Sequence, residues 1–356
     1  MFHSGRVVFF GGMLALAAAT GGCQRGPTWD LSVVEGTVTK YGRPLANIEV
    51  VFLVDAGTQG PRARGITDEA GHYRLRTDNV DDGTVVGNIT GLKQDHGVAI
   101  AKEFGRGFIT DGAQGKVIIF DLNSLKVIGE ASADKDADSV VYDPASKRVF
   151  AMNGDAHSAT VIDAQSGGAV KTIALGGGPE FAVADGNGTV YVNIEDKNEV
   201  LAIDSRELTI KSRWPVAPAG TPTALAIDIQ HRRLFTAGRN PQKLVVLNAD
   251  NGKVIQSFSI SGGVDAAAFE PETSLLFAST REGMIHVFHE DSPDKYSEVE
   301  TVKTEFGAKT MGLDTKTHNL FVDTADFTEP AAPTAERPHP QRTAVPGTFR
   351  VLVYGR

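Results

Sequence analysis

Short runs of alternating apolar and polar residues, set apart by turns rich in Asp, Gly and Pro, fill the chain from residue 33 onward. Period-two runs bounded by turn residues predict strands. The runs recur as a unit. An aromatic residue (Phe108, Phe150, Tyr191, Phe235, Phe277, Phe321) returns every 41 to 44 residues. Thirteen positions after it stands a turn-opening polar residue: Asp121, Asp163, Asp204, Asn248 and, one residue early, His289. Within each unit an inner strand leads to an Asp-Pro or similar turn (Asp143-Pro144, Glu270-Pro271). A second strand carries the aromatic, a third ends at the Asp, and a fourth follows. A period in the forties with strands inside it predicts propeller blades, four strands each around a common axis. The expected fold class is all-β, a small N-terminal β-sandwich followed by a β-propeller with six recognisable repeats.

Composition narrows the partners. A formal charge of -9 argues against nucleic acid held by bulk electrostatics. One cysteine in 356 residues excludes an intrachain disulfide framework and a haem-attachment pair. That cysteine is Cys23, and it follows an apolar run from Val7 to Thr20 preceded by Arg6. The run is short for a bilayer span and ends in small residues. Thr20-Gly21-Gly22-Cys23 resembles a bacterial lipobox, with Thr20 where the pattern prefers Leu. The resemblance implies a lipoprotein signal peptide over residues 1–22, lipidation at Cys23 and a membrane anchor. Gln24 next to Cys23 implies sorting to the outer membrane, facing the periplasm or the cell surface.

Residues 23–31 read as a tether. In residues 32–83 the string Val34-Glu35-Gly36-Thr37-Val38, then Gly42-Arg43-Pro44-Leu45, then Thr67-Asp68 with Gly71 and Tyr73, resembles a carboxypeptidase-regulatory-like, transthyretin-like β-sandwich. Residues 84–356 carry the repeats. Thr189-Val190-Tyr191-Val192-Asn193, the stretch Tyr142 to Phe150 and the stretch His289 to Lys295 resemble the YVTN/YncE-like propellers. That family usually has seven blades. Its resemblance implies a periplasmic propeller, with single-stranded DNA binding suggested for one branch, which the net charge here opposes. The sixth repeat ends at its third strand, Thr348 to Tyr354, and Thr84 to Leu92 has the character of a fourth strand. Pairing of these two segments is the expected ring closure, because it removes an exposed sheet edge.

Twelve residues before each aromatic (eleven for Tyr191) lies the start of an inner strand. The residues there are His96, Asp138, Glu180, Thr223, Asp265 and Lys309, all polar. Inner strands line a propeller's channel, so these six are expected to ring one mouth of it, with Lys309 and His96 on a cationic side facing Asp138 and Glu180. Asn153, Asp155, His157, Asn193, Glu195, Arg239 and Arg281 fall on second-to-third-strand connections of the same face. The Pro-rich stretch from Thr328 to Gly347 is expected to be an extended loop on that face. No Walker motif, nucleophile elbow or paired metal motif occurs, so no catalytic residue, metal ligand set or cofactor is assigned.

Two functions follow. One is a lipid-anchored cell-envelope binding or scaffold protein that recognises a small polar ligand or an envelope protein at the channel face, its oligomeric state open. The other is a lactonase-like hydrolase that activates water on a channel-mouth ion.

Overall fold

The computed structural model describes residues 88–330 and 342–355, and within the N-terminal part residues 34–37, 39–40, 43–44, 49–52, 63–66, 69–70 and 72–75. The chain divides into two compact units, Met1–Val86 and Gly87–Arg356. In the first unit, Val34–Thr37 pairs antiparallel with His72–Leu75, and Glu49–Phe52 with Ala63–Ile66. Thr39–Lys40 and Arg43–Pro44 form a small hairpin. The signal peptide, Cys23 and the tether lie outside the described residues.

The second unit is a six-blade β-propeller, and its helices among the described residues are two single turns of 3-10 geometry. Blade 1 is built from Asp95–Ala101, Arg106–Asp111, Lys116–Asp121 and Val127–Ser132, innermost to outermost. Blade 2 holds Ala137–Asp143, Arg148–Asn153, Ser158–Asp163 and Ala169–Ala174. Blade 3 holds Pro179–Ala184, Thr189–Ile194, Glu199–Asp204 and Thr209–Pro215. Blade 4 holds Pro222–Asp228, Arg233–Arg239, Gln242–Asn248 and Val254–Ser259. Blade 5 holds Val264–Glu270, Leu275–Thr280, Met284–Ser292 and Lys295–Lys303. Among the described residues blade 6 holds three strands, Met311–Asp314, Asn319–Thr324 and Arg350–Tyr354.

The turns repeat because the chemistry repeats. At most corners an acid or Asn opens the turn and accepts backbone N–H groups two and three residues on. Asp228 takes Gln230 N–H at 2.9 Å and His231 N–H at 3.2 Å, and Asp204 takes Arg206 and Glu207 N–H at 2.9 Å each. Four residues after the opener the backbone enters the left-handed region, as at Lys147 (φ 59), Arg232 (φ 56) and Gly252 (φ 71). Such side chain-to-backbone bonds favour Asp and Asn at corners. Blade 5 departs from this at its outer hairpin. Its third strand runs through His289 and Glu290 to Ser292. His289 therefore opens no turn, and Glu290, thirteen residues after Phe277, is buried inside the strand.

Blades 1 to 5 each pack their aromatic onto the next blade. Phe108, Val117 and Ile119 meet Val149 and Ile162 of blade 2, and Phe150 and Val161 meet Val190 and Val192 of blade 3. Tyr191 and Val200 meet Leu225 and Leu234 of blade 4. Phe235 and Val246 meet Leu276 and Phe288 of blade 5, and Phe277 and Val287 meet Leu320 and Val322 of blade 6. Polar struts add to these layers. The Tyr191 hydroxyl donates to the Ala249 carbonyl (2.9 Å), and Arg233 donates to the Pro293 carbonyl (2.7 Å) and to Asp294 (2.7 Å).

The expected closure is not formed by residues 88–92. They make no strand. Ile89 and Leu92 instead pack on Ile109, Ile118 and Phe120, the face of blade 1 turned away from blade 2. Beyond them, Lys93 N–H donates to Asp111 at 2.8 Å and Gly112 N–H to the Gln94 carbonyl at 2.8 Å. The physical reason is that blade 1 offers both an apolar face and a buried carboxylate to this segment. Residues 84–87 lie outside the described residues. Among the described residues the outer edge of Arg350–Tyr354 has no partner strand.

Candidate functional site at the channel mouth

The inner strands begin with a shared irregularity. In blades 1 to 5 the pairing register shifts between Asp95 and Val98, Ala137 and Val140, Pro179 and Ala182, Pro222 and Ala224, and Val264 and Ala266. His96, Asp138, Glu180, Thr223 and Asp265 all fall inside these bulges. A bulge leaves a residue outside the ladder and re-aims its side chain. The polar residues at strand starts are thus placed by backbone geometry as well as by sequence period.

The side chains meet in three groups. His96 Nδ1 lies 3.2 Å from an Asp138 carboxylate oxygen, joining blades 1 and 2. Asp265 is held from both sides, by Arg239 at 2.7 Å and by Lys309 at 2.8 Å, joining blades 4, 5 and 6. Arg239 also approaches Glu195 at 3.7 Å, and Glu195 is hydrogen-bonded to Glu180. The groups share one electrostatic space. Burial raises the Asp138 pKa, His96 opposes this, and Asp265 and Lys309, from blades 5 and 6, also act on it. Glu180 is pushed up to about 8, first by burial and then by its hydrogen bond and charge repulsion with Glu195, against the pull of Arg239. Near neutral pH Glu180 therefore holds a proton.

Two expectations are corrected. Thr223 does not line the mouth. It is fully buried and its hydroxyl donates to the Thr221 carbonyl at 3.3 Å, because its short side chain finds a backbone acceptor first. Nor is the mouth divided into a cationic and an anionic side. Lys309 is spent on Asp265, and His96 on Asp138. Among the loop residues, Glu195 and Arg239 join the site. Asn153 and Asn193 are buried fasteners instead. Asn153 donates to Ser158 and Thr160, and Asn193 donates to the Thr223 and Ala224 carbonyls at 3.0 Å each.

The Pro-rich insertion leaves blade 6 through zipped ends. Thr328 N–H donates to the Thr343 carbonyl at 2.9 Å and Val345 N–H to the Asp326 carbonyl at 2.8 Å. Phe327 stacks edge-on against Phe306 (5.3 Å), which precedes Lys309 by three residues, and Arg342 lies over the same ring at 4.9 Å. Residues 331–341 lie outside the described residues. A cleft of about 100 Å³ lies elsewhere, between blades 5 and 6, lined by Leu275, Phe277, Val287, Val302, Leu320 and Tyr354. It marks the side on which blade 6 has no outer strand among the described residues, and its lining is mostly apolar, with Glu270, Glu300 and His318 as its polar members.

No family model matches the chain, and no curated protein matches its sequence. Solved structures do match its fold. Kuenenia stuttgartiensis hydrazine synthase aligns with a TM-score of 0.58 at 16% identity, over 68% of this chain and 77% of that one. The Cps50 (Swd1) β-propeller domain of Myceliophteria thermophila aligns at 0.60 and 12% identity, over 76% and 88%. The WD40 repeats of RRP9 align at 0.56 and 8% identity, over 64% and 71%. At such identities the likeness is one of fold. This chain is a six-blade β-propeller.

Proposed function

We propose that the propeller is a binding module whose recognition surface is the channel mouth, carried on a lipid-anchored envelope protein of the YVTN/YncE-like kind. One observation carries the reading. Bulged strand starts from separate blades bring Asp138, Glu180 with Glu195, and Asp265 with Arg239 and Lys309 into one electrostatic neighbourhood. Buried, mutually perturbed charges from different parts of a chain are costly to assemble and cluster where ligands bind. A small zwitterion fits this set, with its cationic group at Glu180–Glu195 and its anionic group at Arg239 and Lys309. Cys23 would supply the anchor and the N-terminal unit the stalk.

The test is a calorimetric screen of small zwitterions at pH 6 and pH 9. Binding lost in Glu180→Ala and in Lys309→Ala supports the reading. A ligand that binds both variants as it binds the parent overturns it. Anchoring is tested separately by fractionating Cys23→Ala, which should leave the membrane for the soluble fraction. The hydrolase reading draws less support, because Asp265 is neutralised by two cations rather than left open for an ion.

A further inference from the structure

At the opposite end of the inner strands a second group of side chains takes no part in the mouth. Asp228 ends the inner strand of blade 4, His231 lies in the turn that follows, and Glu290 lies in the third strand of blade 5. Their ligand atoms lie within 4.8 Å of one another. His231 Nδ1 stands 2.7 Å from Asp228 Oδ2 and 3.1 Å from Glu290 Oε1. Glu290 is 6% exposed, yet neither of its carboxylate oxygens has a hydrogen-bonding partner of good geometry, and His231 Nδ1 has none either. The nearest donors are engaged in other bonds. The Tyr296 hydroxyl lies beside Glu290 but donates to the Pro293 carbonyl at 3.2 Å. Arg233 is committed to Pro293, Asp294 and the His231 carbonyl. A buried carboxylate left without donors is costly, and a bound cation or proton relieves that cost.

We infer that Asp228, His231 and Glu290 form a site for a divalent transition ion of the zinc type, which staples the first turn of blade 4 to the third strand of blade 5. Ligand atoms bonded at about 2.1 Å to one ion, at tetrahedral to right angles, sit about 3.0 to 3.4 Å apart. The separations around His231 fall close to this. One imidazole nitrogen and two carboxylate oxygens suit zinc and its neighbours, and two negative charges balance a dication. Calcium and magnesium prefer all-oxygen shells or several retained waters, which the imidazole and the burial oppose. His231 is partly exposed, which gives an ion a way in from solvent.

The next interface offers an internal control. Glu270 of blade 5 meets His318 of blade 6 at 2.8 Å, and the Thr273 hydroxyl donates to its other oxygen. That pair is satisfied without an ion.

The test uses tag-free full chain stripped with a chelator and titrated with Zn²⁺ and with Co²⁺. One ion per chain is expected, with a visible Co²⁺ spectrum of low coordination number and a rise in Tm on adding Zn²⁺. Glu290→Gln and His231→Gln should each weaken binding at least tenfold. Because His231 is partly exposed, its variant keeps the fold even if the Glu290 variant does not. Stripped chain that takes up neither ion, or variants that bind with unchanged affinity, overturn the site. Glu180→Gln at the mouth should leave metal uptake unchanged, so failure here and failure of the mouth as a ligand site read out separately.

Discussion

The five interfaces between consecutive blades and the seam between blade 6 and blade 1 use the same strand positions with opposite outcomes. Across from each blade's aromatic stands a third-strand residue, and two positions away stands a second. In blade 2 these are Val161 and Ala159, and in blade 4 Val246 and Leu244, all fully buried. In blade 6 the same positions are Val353 and Val351, which are 53% and 51% exposed. Blade 1 mirrors this on its outward face, where Val98 is 58% and Ile100 46% exposed. The residue types are those of a packed face, but no blade of the ring packs on it. A strand pattern thus encodes that a face is apolar, and only the assembled ring decides whether it is covered.

The comparison is tested first at the aromatics. Phe235→Ala removes a fully buried ring that also meets Phe269 and Tyr296 at 5.3 and 5.6 Å, and should cost about 3–5 kcal/mol in urea unfolding. Phe321→Ala, at the equivalent position on the seam, should cost about 1 kcal/mol, since little packing is lost there. Equal losses at the two positions would mean that the seam is sealed in solution.

Lysine scanning sharpens the same contrast. Val246→Lys buries a charge between blades 4 and 5 and should cost at least about 3 kcal/mol, whereas Val353→Lys should change stability by no more than about 0.5 kcal/mol. The exposed seam should also bind a hydrophobic dye such as ANS, and Val351→Lys with Val353→Lys should lower that signal. Dye fluorescence that ignores both changes would show the face to be covered.

How much of this was legible in the sequence divides along the same line. The period located every blade, and the acids at corners located the turns, because both are local facts of alternation and side chain-to-backbone bonding. It also put His96, Asp138, Glu180, Asp265 and Lys309 in register. The bulges that aim them were not legible, since a register shift belongs to two strands rather than one. Thr223 shared the register but not the role, because its hydroxyl is short enough to reach its own backbone. Glu290 stands at the thirteenth position after Phe277, the place of Asp121 and Asp204, one residue beyond the expected opener His289. The arithmetic was a usable signal. That the Glu290 strand runs on and buries the acid depends on the longer hairpin of blade 5, which the period does not report. The seam was the least legible, because a strand's apolar face looks the same whether or not a neighbour arrives.

The mouth gives a pH dependence with a definite sign. Glu180 has a pKa pushed up to about 8 in the folded protein against an ordinary value of 4.5, so the folded state holds a proton that the unfolded state releases between these values. The stability that this proton contributes is full below about pH 4.5 and is lost as pH rises through about 8. Glu180→Gln mimics the protonated form and should flatten that slope. Since the side chain retains some solvent contact, the difference between parent and variant should be about 1 to 2 kcal/mol between pH 5 and pH 8.5. Paired urea titrations at these two pH values check it. Val98→Ser, on the seam face of blade 1, should leave the pH slope intact, because that position carries no charge coupled to the mouth. A slope that persists in Glu180→Gln would assign the proton to another member of the acidic group, Asp138 first among them, and would move the cation-binding side of the mouth from blade 3 to blade 2.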